Sequence, residues 1–253
     1  MSDKQKPKQA ATVVLLRPAA STGFEVFLTR RPADMPFLGG MYCFPGGGVK
    51  KEDYSPRMIE RSFGLTREQA RKLVGAHFSP QEARGFWIAG IRELFEEIGV
   101  LLAVNRDGER FPMNQTLARR LAENHRALLN KSLSFFSLLE KEDLCCDLSS
   151  LAYLSHWQTP AQNVLRFDTR FFLARLPEDQ APLPTSDEVA DSLWLTPDRA
   201  IQVFEHGELP LIFPTFATLR MLADFETLES VFKEFSAIMA AAPNSAKPGA
   251  PMR

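Results

Sequence analysis

The sequence predicts a mixed α/β (α+β) fold, and three observations carry that expectation. Short β-rich runs flank turn residues, a Gly- and Pro-dense loop precedes a helix signalled at both ends, and helical and strand-like segments then alternate without an internal repeat. Residues 12–16 and 24–29 are apolar runs around Ala20-Ser21-Thr22-Gly23, which reads as a hairpin. Residues 32–48 read as loop, with only 41–44 short and apolar enough for a strand. Ser79-Pro80-Gln81-Glu82 combines a capping box with proline at the first helical position. The helix it opens is expected to end at Ile98, with Gly99 as a left-handed cap. Amphipathic helices are expected at 115–129 and 133–141, strands at 151–157, 167–176 and 192–195, and mostly helix from Pro197 onward. The organisation expected is a flexible N-terminus over 1–10, a single domain over 11–241 and a flexible tail over 242–253.

Composition narrows the function. The chain has 253 residues, 45% hydrophobic and 24% charged, with a formal net charge of -1. That balance lacks the basic excess of nucleic-acid binders, so no nucleic-acid partner is expected and an anionic ligand should be small and held locally. Cys43, Cys145 and Cys146 form neither a disulfide framework nor a zinc-like CxxC spacing, which fits a reducing, cytoplasmic setting. No apolar run is long enough to span a bilayer and no signal-peptide core follows the polar start, so no membrane association is expected.

The chemistry concentrates on the Ser79 helix. At about 100° per residue, Glu93, Glu96 and Glu97 share one arc while Ile91, Leu94, Phe95 and Ile98 occupy the opposite side. The helix is therefore expected to bury one side and aim three carboxylates outward from the other. Anions at i, i+3 and i+4 repel one another, and near the helix C-terminus the macrodipole disfavours them. A divalent cation relieves both penalties, and all-oxygen ligands suit Mg²⁺ or Mn²⁺. The alternative for such a cluster is a solvated acidic face.

The whole string Arg92-Glu93-Leu94-Phe95-Glu96-Glu97-Ile98-Gly99-Val100 decides between them, because it resembles the second half of the Nudix box, RE-U-x-EE-x-G-U with U aliphatic. The first half lies upstream. Phe44-Pro45-Gly46-Gly47-Gly48 is similar to the Nudix Pro-Gly-Gly loop, and Asp53 stands where the box has Glu. Between Asp53 and Arg92 lie 38 residues where the box has seven, so the box is split by an insertion, roughly 54–79, with its own helical stretch at 66–74. The insertion is expected either as a lid or recognition element or as a decoration that touches no substrate. Phe27-Leu28-Thr29-Arg30-Arg31, Gly40 and Phe44-Pro45-Gly46-Gly47 further resemble the signature of coenzyme A diphosphatases, with Pro32 and Pro36 as departures. Over roughly residues 12–222 the chain is similar to the peroxisomal coenzyme A diphosphatase subgroup and its bacterial relatives, which carry a long insert in the box.

The resemblance implies a Nudix α/β/α sandwich with a mixed central sheet, a helical insertion and extra C-terminal helices. It implies a Mg²⁺- or Mn²⁺-dependent hydrolase that cleaves a phosphoanhydride bond in a small nucleoside-diphosphate-linked molecule, coenzyme A or acyl-coenzyme A being the first choice. Glu93, Glu96 and Glu97 would hold metal, and Glu188 is chosen from Asp187, Glu188 and Asp191 as a distal ligand. Glu93 and Glu97 are assigned to ligation ahead of general-base duty, which is left between a helix glutamate and a carboxylate from a later loop. Arg92 would pair with Asp53, one methylene shorter than Glu, and orient the loop. Gly46 and Gly47 would let backbone approach phosphate. Strand alternation puts Arg30 and Arg31 on opposite faces, one a diphosphate clamp, with Arg31 favoured by the signature. His156, Cys145 and Cys146 are read as structural. The competing readings are an ADP-ribose, dinucleotide or nucleotide-sugar pyrophosphatase and, outside enzymes, a ligand-sensing regulator without turnover. A homodimer is compatible with the helices after Pro197.

Overall fold

In the computed structural model, which describes residues 6–183 and 186–240, β1 (Lys8–Pro18) and β2 (Phe24–Arg30) form the expected hairpin across a turn with Gly23 at φ 78°. β3 (Tyr42–Cys43) and β4 (Gly46–Gly48) follow, so the glycine triplet expected as loop is a short strand. A 3₁₀ turn at Lys51–Tyr54 leads into the insertion, which holds α1 (Pro56–Glu60), β5 (Ser62–Phe63) and α2 (Arg67–Val74). α3 (Pro80–Ile98) has the predicted ends: the Ser79 hydroxyl accepts from the Glu82 amide at 3.2 Å, Glu82 accepts from the Ser79 amide at 2.8 Å, and Gly99 closes the helix at φ 71°. Such an N-cap is worth about 1 kcal/mol. Then come β6 (Ala103–Asn105), α4 (Gln115–Leu129), α5 (Phe135–Lys141), β7 (Leu144–Asp147), β8 (Leu151–Gln158), β9 (Phe167–Arg175) and β10 (Asp191–Leu195). α6 (Pro197–Glu205), α7 (Phe213–Leu222) and α8 (Leu228–Ala240) close the described chain.

The main sheet runs β10-β2-β1-β9-β8, with β3 on β2 and β4 on β1; β1 and β9 are parallel and the other pairs antiparallel. Its central strands read as unbroken apolar runs because both faces are covered. On β1, Val13 and Leu15 enter a core with Trp87 and Ile91 of α3, whereas Val14 and Leu16 enter a second core with Ala200, Leu219 and Val231 of α6, α7 and α8. This is the α/β/α sandwich, with α3 on one face and the C-terminal helices on the other.

Two expectations need correction. β1 begins at Lys8, inside the stretch expected to be flexible, because residues 8–10 bond to β9 on one side and Ala10 also pairs with Gly48 on the other. A second sheet, β5-β7-β6, was not expected; it buries Cys145 and Cys146 and ties the insertion to the body. The tail expected at 242–253 lies outside the described residues. Among the described residues no helix is long and apolar enough to cross a membrane.

The insertion is anchored by arginines bonded to carbonyls. Arg84 of α3 donates to the Ser62 carbonyl at 3.0 Å and to its hydroxyl at 2.6 Å, Arg61 donates to the Leu139 and Leu144 carbonyls, and Arg170 of β9 donates to the Val74 carbonyl at the end of α2. Its first residues run along the acidic end of α3, while α2 packs beside the opposite end.

Candidate active site

The site begins with backbone proximity. β4 pairs antiparallel with residues 10–12 of β1, so close at Gly46 that a side chain would not fit, and it also packs against α3. A Cβ on Gly46 would lie 2.4 Å from the Ala11 carbonyl oxygen, and one on Gly47 would lie 2.6 Å from the carboxyl carbon of Glu93. Glycine is required by approach at Gly46, where the obstacle is backbone, whereas at Gly47 the obstacle is the movable end of the Glu93 side chain. The Gly46 amide donates to Glu97 at 3.4 Å.

Beneath this strand the acids are not where the helical wheel placed them. Glu93 and Glu97 were expected to face outward, but they are buried, at 8% and 6% exposure, and Glu96 is half-buried. The wheel located the polar side of α3 correctly but could not show that β4 and the Lys51–Tyr54 turn cover it. Arg92 organises the covered side. Its Nε and Nη2 donate to the two oxygens of Asp53 at 2.8 and 2.9 Å, Nη2 also donates to the Gly48 carbonyl at 2.8 Å, and Nη1 reaches Glu93 at 2.5 Å and Glu96 at 3.1 Å. Asp53 is fully buried and also accepts from the Lys50 amide at 2.7 Å, so the turn supplies the reach that its shorter side chain lacks.

Charge in this pocket does not balance. Asp53, Glu93, Glu96 and Glu97 face Arg92 and Lys50, the latter bonded to Glu96 at 3.3 Å. Burial, reinforced by Glu93 and Glu188 and opposed by the Gly46 amide and Arg31, holds the Glu97 carboxyl well above the ordinary range. Burial also raises Glu93, against the pull of Arg92. Burial works against the Arg92 cation too, but the Asp53 hydrogen bonds, with Glu93 and Glu96, outweigh it and raise its pKa. Buried carboxylates in excess of cations, with oxygen donors throughout, fit a hard divalent cation. Among the described residues no three acidic, histidine or cysteine side chains already converge at ligand distance, because Arg92 holds Glu93 and Glu96. Ligation therefore requires those bonds to be exchanged.

The acids line a cleft of about 800 Å³ that also includes Glu188. Glu188 is exposed, on a loop where its amide donates to the Ser186 hydroxyl, yet its charge is felt at Glu97. Arg31 lies on the site side, bonded to the Phe37 carbonyl at 3.2 Å and close enough to Glu97 to lower its pKa. Arg30 turns away, donating to the Gly40 carbonyl with its guanidinium 5.8 Å from the centre of the Tyr42 ring. His156 bonds to Asp168, which also pairs with Arg170, and none of the three lines the acidic cleft.

Residues 7–222 match the family model of the NUDT19 Nudix domain. The chain belongs to that Nudix family. Its relatives include the acyl-coenzyme A diphosphatases NUDT19 of Gallus gallus, 28% identical over 85% of this chain, and of Homo sapiens, 29% identical over 86%. The chain spans 65% of the length of each of these relatives. Among solved structures, the NUDIX hydrolase from Alicyclobacillus acidocaldarius superposes with a TM-score of 0.70 at 28% identity, covering 90% of this chain and 96% of that one.

The Nudix box is thus split in sequence and joined in space, with the Asp53–Arg92 pair as the joint. The insertion leaves through the Lys51–Tyr54 turn and returns at Ser79. Three neighbours of the box were missed in the sequence. Cys43 is held near Glu97, and its thiol is pushed up to about 11 by burial and by that carboxylate. Lys50 pairs with Glu96, and His125 of α4 places Nε2 3.0 Å from the Glu96 carbonyl oxygen. Only Lys50 had a local signal, as the residue after the glycine loop; the other two arrive through tertiary packing.

Proposed function

We propose that the protein is a Mg²⁺- or Mn²⁺-dependent hydrolase of a phosphoanhydride bond in a nucleoside-diphosphate-linked small molecule, with coenzyme A or acyl-coenzyme A as substrate. One observation carries the reading: three glutamates of one helix lie under a glycine strand with buried negative charge in excess, in a chain of the NUDT19 Nudix family. The printed names of the relatives supply the substrate class.

In this reading Glu93, Glu96 and Glu97 hold metal and Glu188 completes the set from the loop. Divalent ions there neutralise charge on the phosphate oxygens and lower the pKa of water, effects worth several kcal/mol of barrier. Arg92 is a positioning residue: bound to Asp53 and the Gly48 carbonyl, it fixes β4 against α3 and frames the glutamates. Gly46 and Gly47 keep the strand close to the acids. Arg31 is the diphosphate clamp, whereas Arg30 faces away from the cleft and is assigned to Tyr42 and the loop. The general base is a carboxylate of this pocket left free of ligation. The three free cysteines, two of them buried, suit a reducing compartment, and we place the protein in the cytoplasm.

The test is a screen of coenzyme A, acyl-coenzyme A, ADP-ribose, dinucleotides and nucleotide sugars with Mg²⁺ and Mn²⁺, products resolved by chromatography. Release of 3',5'-ADP with 4'-phosphopantetheine, or its acyl derivative, is expected. Turnover confined to substrates that yield AMP moves the assignment to another pyrophosphatase, and absence of any turnover removes the enzymatic reading.

A further inference from the structure

A second cleft, of about 730 Å³, opens beside the acids between α4 and residues 179–183 and 186–188, within the range of about 300–1,000 Å³ typical of small-ligand sites. It shares Leu129, Ser186 and Glu188 with the acidic cleft, so the two are continuous. Their linings differ. Phe95, Leu121 and Leu183 give the α4 cleft an apolar character, and Ala118 and Ala122, one helical turn apart and both exposed, leave its α4 wall open. Leu183 is 58% exposed, and its amide is held by the Ile98 carbonyl at 2.7 Å, so the chain fixes an apolar side chain at this cleft without covering it.

Charge decides which end of a substrate such a cleft accepts. Its ionised lining is Asp179, Asp187 and Glu188 against Arg126, which repels an arm carrying further phosphate. The acidic cleft carries more acids, among them those assigned to metal, and also four cations, Lys50, Arg57, Arg92 and Lys131, of which Arg57 is paired with Glu140 at 3.5 Å. Resting on the hydrolase reading above, we propose that the α4 cleft is the subsite for the acyl chain of an acyl-coenzyme A substrate, with Ala118, Ala122 and Leu183 setting how much chain it accepts. The phosphate-bearing nucleoside then leaves the acids in the other direction, toward Lys131 and Arg57.

Two measurements test this. The first compares kcat/KM for octanoyl-coenzyme A and free coenzyme A in the wild type, in Ala122→Trp, which fills the cleft from an exposed helix position, and in Leu183→Asp, which makes it polar. The second titrates octanoyl-pantetheine, which lacks diphosphate and nucleoside, by calorimetry. The expected result is a loss for octanoyl-coenzyme A at least tenfold greater than the loss for coenzyme A in both variants, and tenfold weaker binding of octanoyl-pantetheine. Equal losses for the two substrates, or no binding of octanoyl-pantetheine to the wild type, overturn the subsite. Binding that Ala122→Trp weakens, in a wild-type protein that turns over neither substrate, supports the subsite and removes the hydrolase reading instead.

Discussion

Toward Ile98, α3 sets Glu93 and Glu97 under a glycine strand with more anions than cations around them; toward Pro80, the same helix sets Arg84 under the insertion with the Ser62 carbonyl and hydroxyl as partners. Both ends bury charge. At the Arg84 end neutral acceptors meet one nitrogen of the cation, its buried Nε has no hydrogen-bond partner among the described residues, and burial brings its pKa down to about 10. At the Glu97 end the protein's own donors leave carboxylates raised and in excess. A buried charge met by backbone carbonyls holds a fold together, whereas a buried excess of one sign beside an open cleft waits for a ligand of the other sign.

The largest effect that could break this contrast is on rate. Glu97→Gln keeps the shape of the side chain and removes its charge, and kcat with Mg²⁺ is expected to fall by on the order of 10³-fold or more. An unchanged steady-state rate would strip the acidic end of its metal role. Next comes Asp53→Asn, which leaves Arg92 buried without its bidentate partner and should cost roughly 3 kcal/mol in urea unfolding. Arg84→Met sharpens the comparison from the other end. Losing the Ser62 bonds is offset by no longer burying a cation, so the same unfolding measurement should show a change of about 1 kcal/mol or less. A loss as large as that of Asp53→Asn would show that the two ends do not differ.

The smallest effect is in pH. Because Glu97 and Glu93 are raised in the folded state, the folded protein holds more protons than the unfolded chain above the ordinary carboxylate range. The contribution of Glu93 and Glu97 to metal-free stability should therefore be full below about pH 4 and be lost as pH rises through their raised values, lowering the melting temperature by about 2–4 °C for each kcal/mol lost. Glu97→Gln should flatten the decline, and added Mg²⁺ should reverse it. A pH dependence of the melting temperature that is the same in Glu97→Gln as in the wild type would contradict the burial of these acids.

What was legible in the sequence was local or motif-borne. Ser79, Glu82 and Gly99 fix the ends of α3 through bonds a few residues long, and Arg92 finds Asp53 where the split box put them. What was not legible depends on partners distant in the chain. The strand at Lys8 exists because β9 lies beside it, β7 because β5 and β6 flank it, and the glycine triplet is a strand because β1 accepts it. The outward aim given to Glu93 and Glu97 failed for the same reason, since periodicity identifies the apolar side of a helix but not what covers the polar one. The α4 cleft had no signature either: Ala118, Ala122 and Leu183 become a lining only when α4 meets residues 179–183 and 186–188.

β4 is stitched at both ends as well as paired, with the Val13 amide on the Pro45 carbonyl at 2.8 Å and the Val49 amide on the Gln9 carbonyl at 2.9 Å. The glycines therefore form a fixed jaw, clamped to the middle of the sheet, and cannot swing to meet an incoming molecule. A ligand entering the acidic cleft must therefore fit that jaw as it stands, and any exchange of bonds falls to the side chains of Arg92, Glu93 and Glu96.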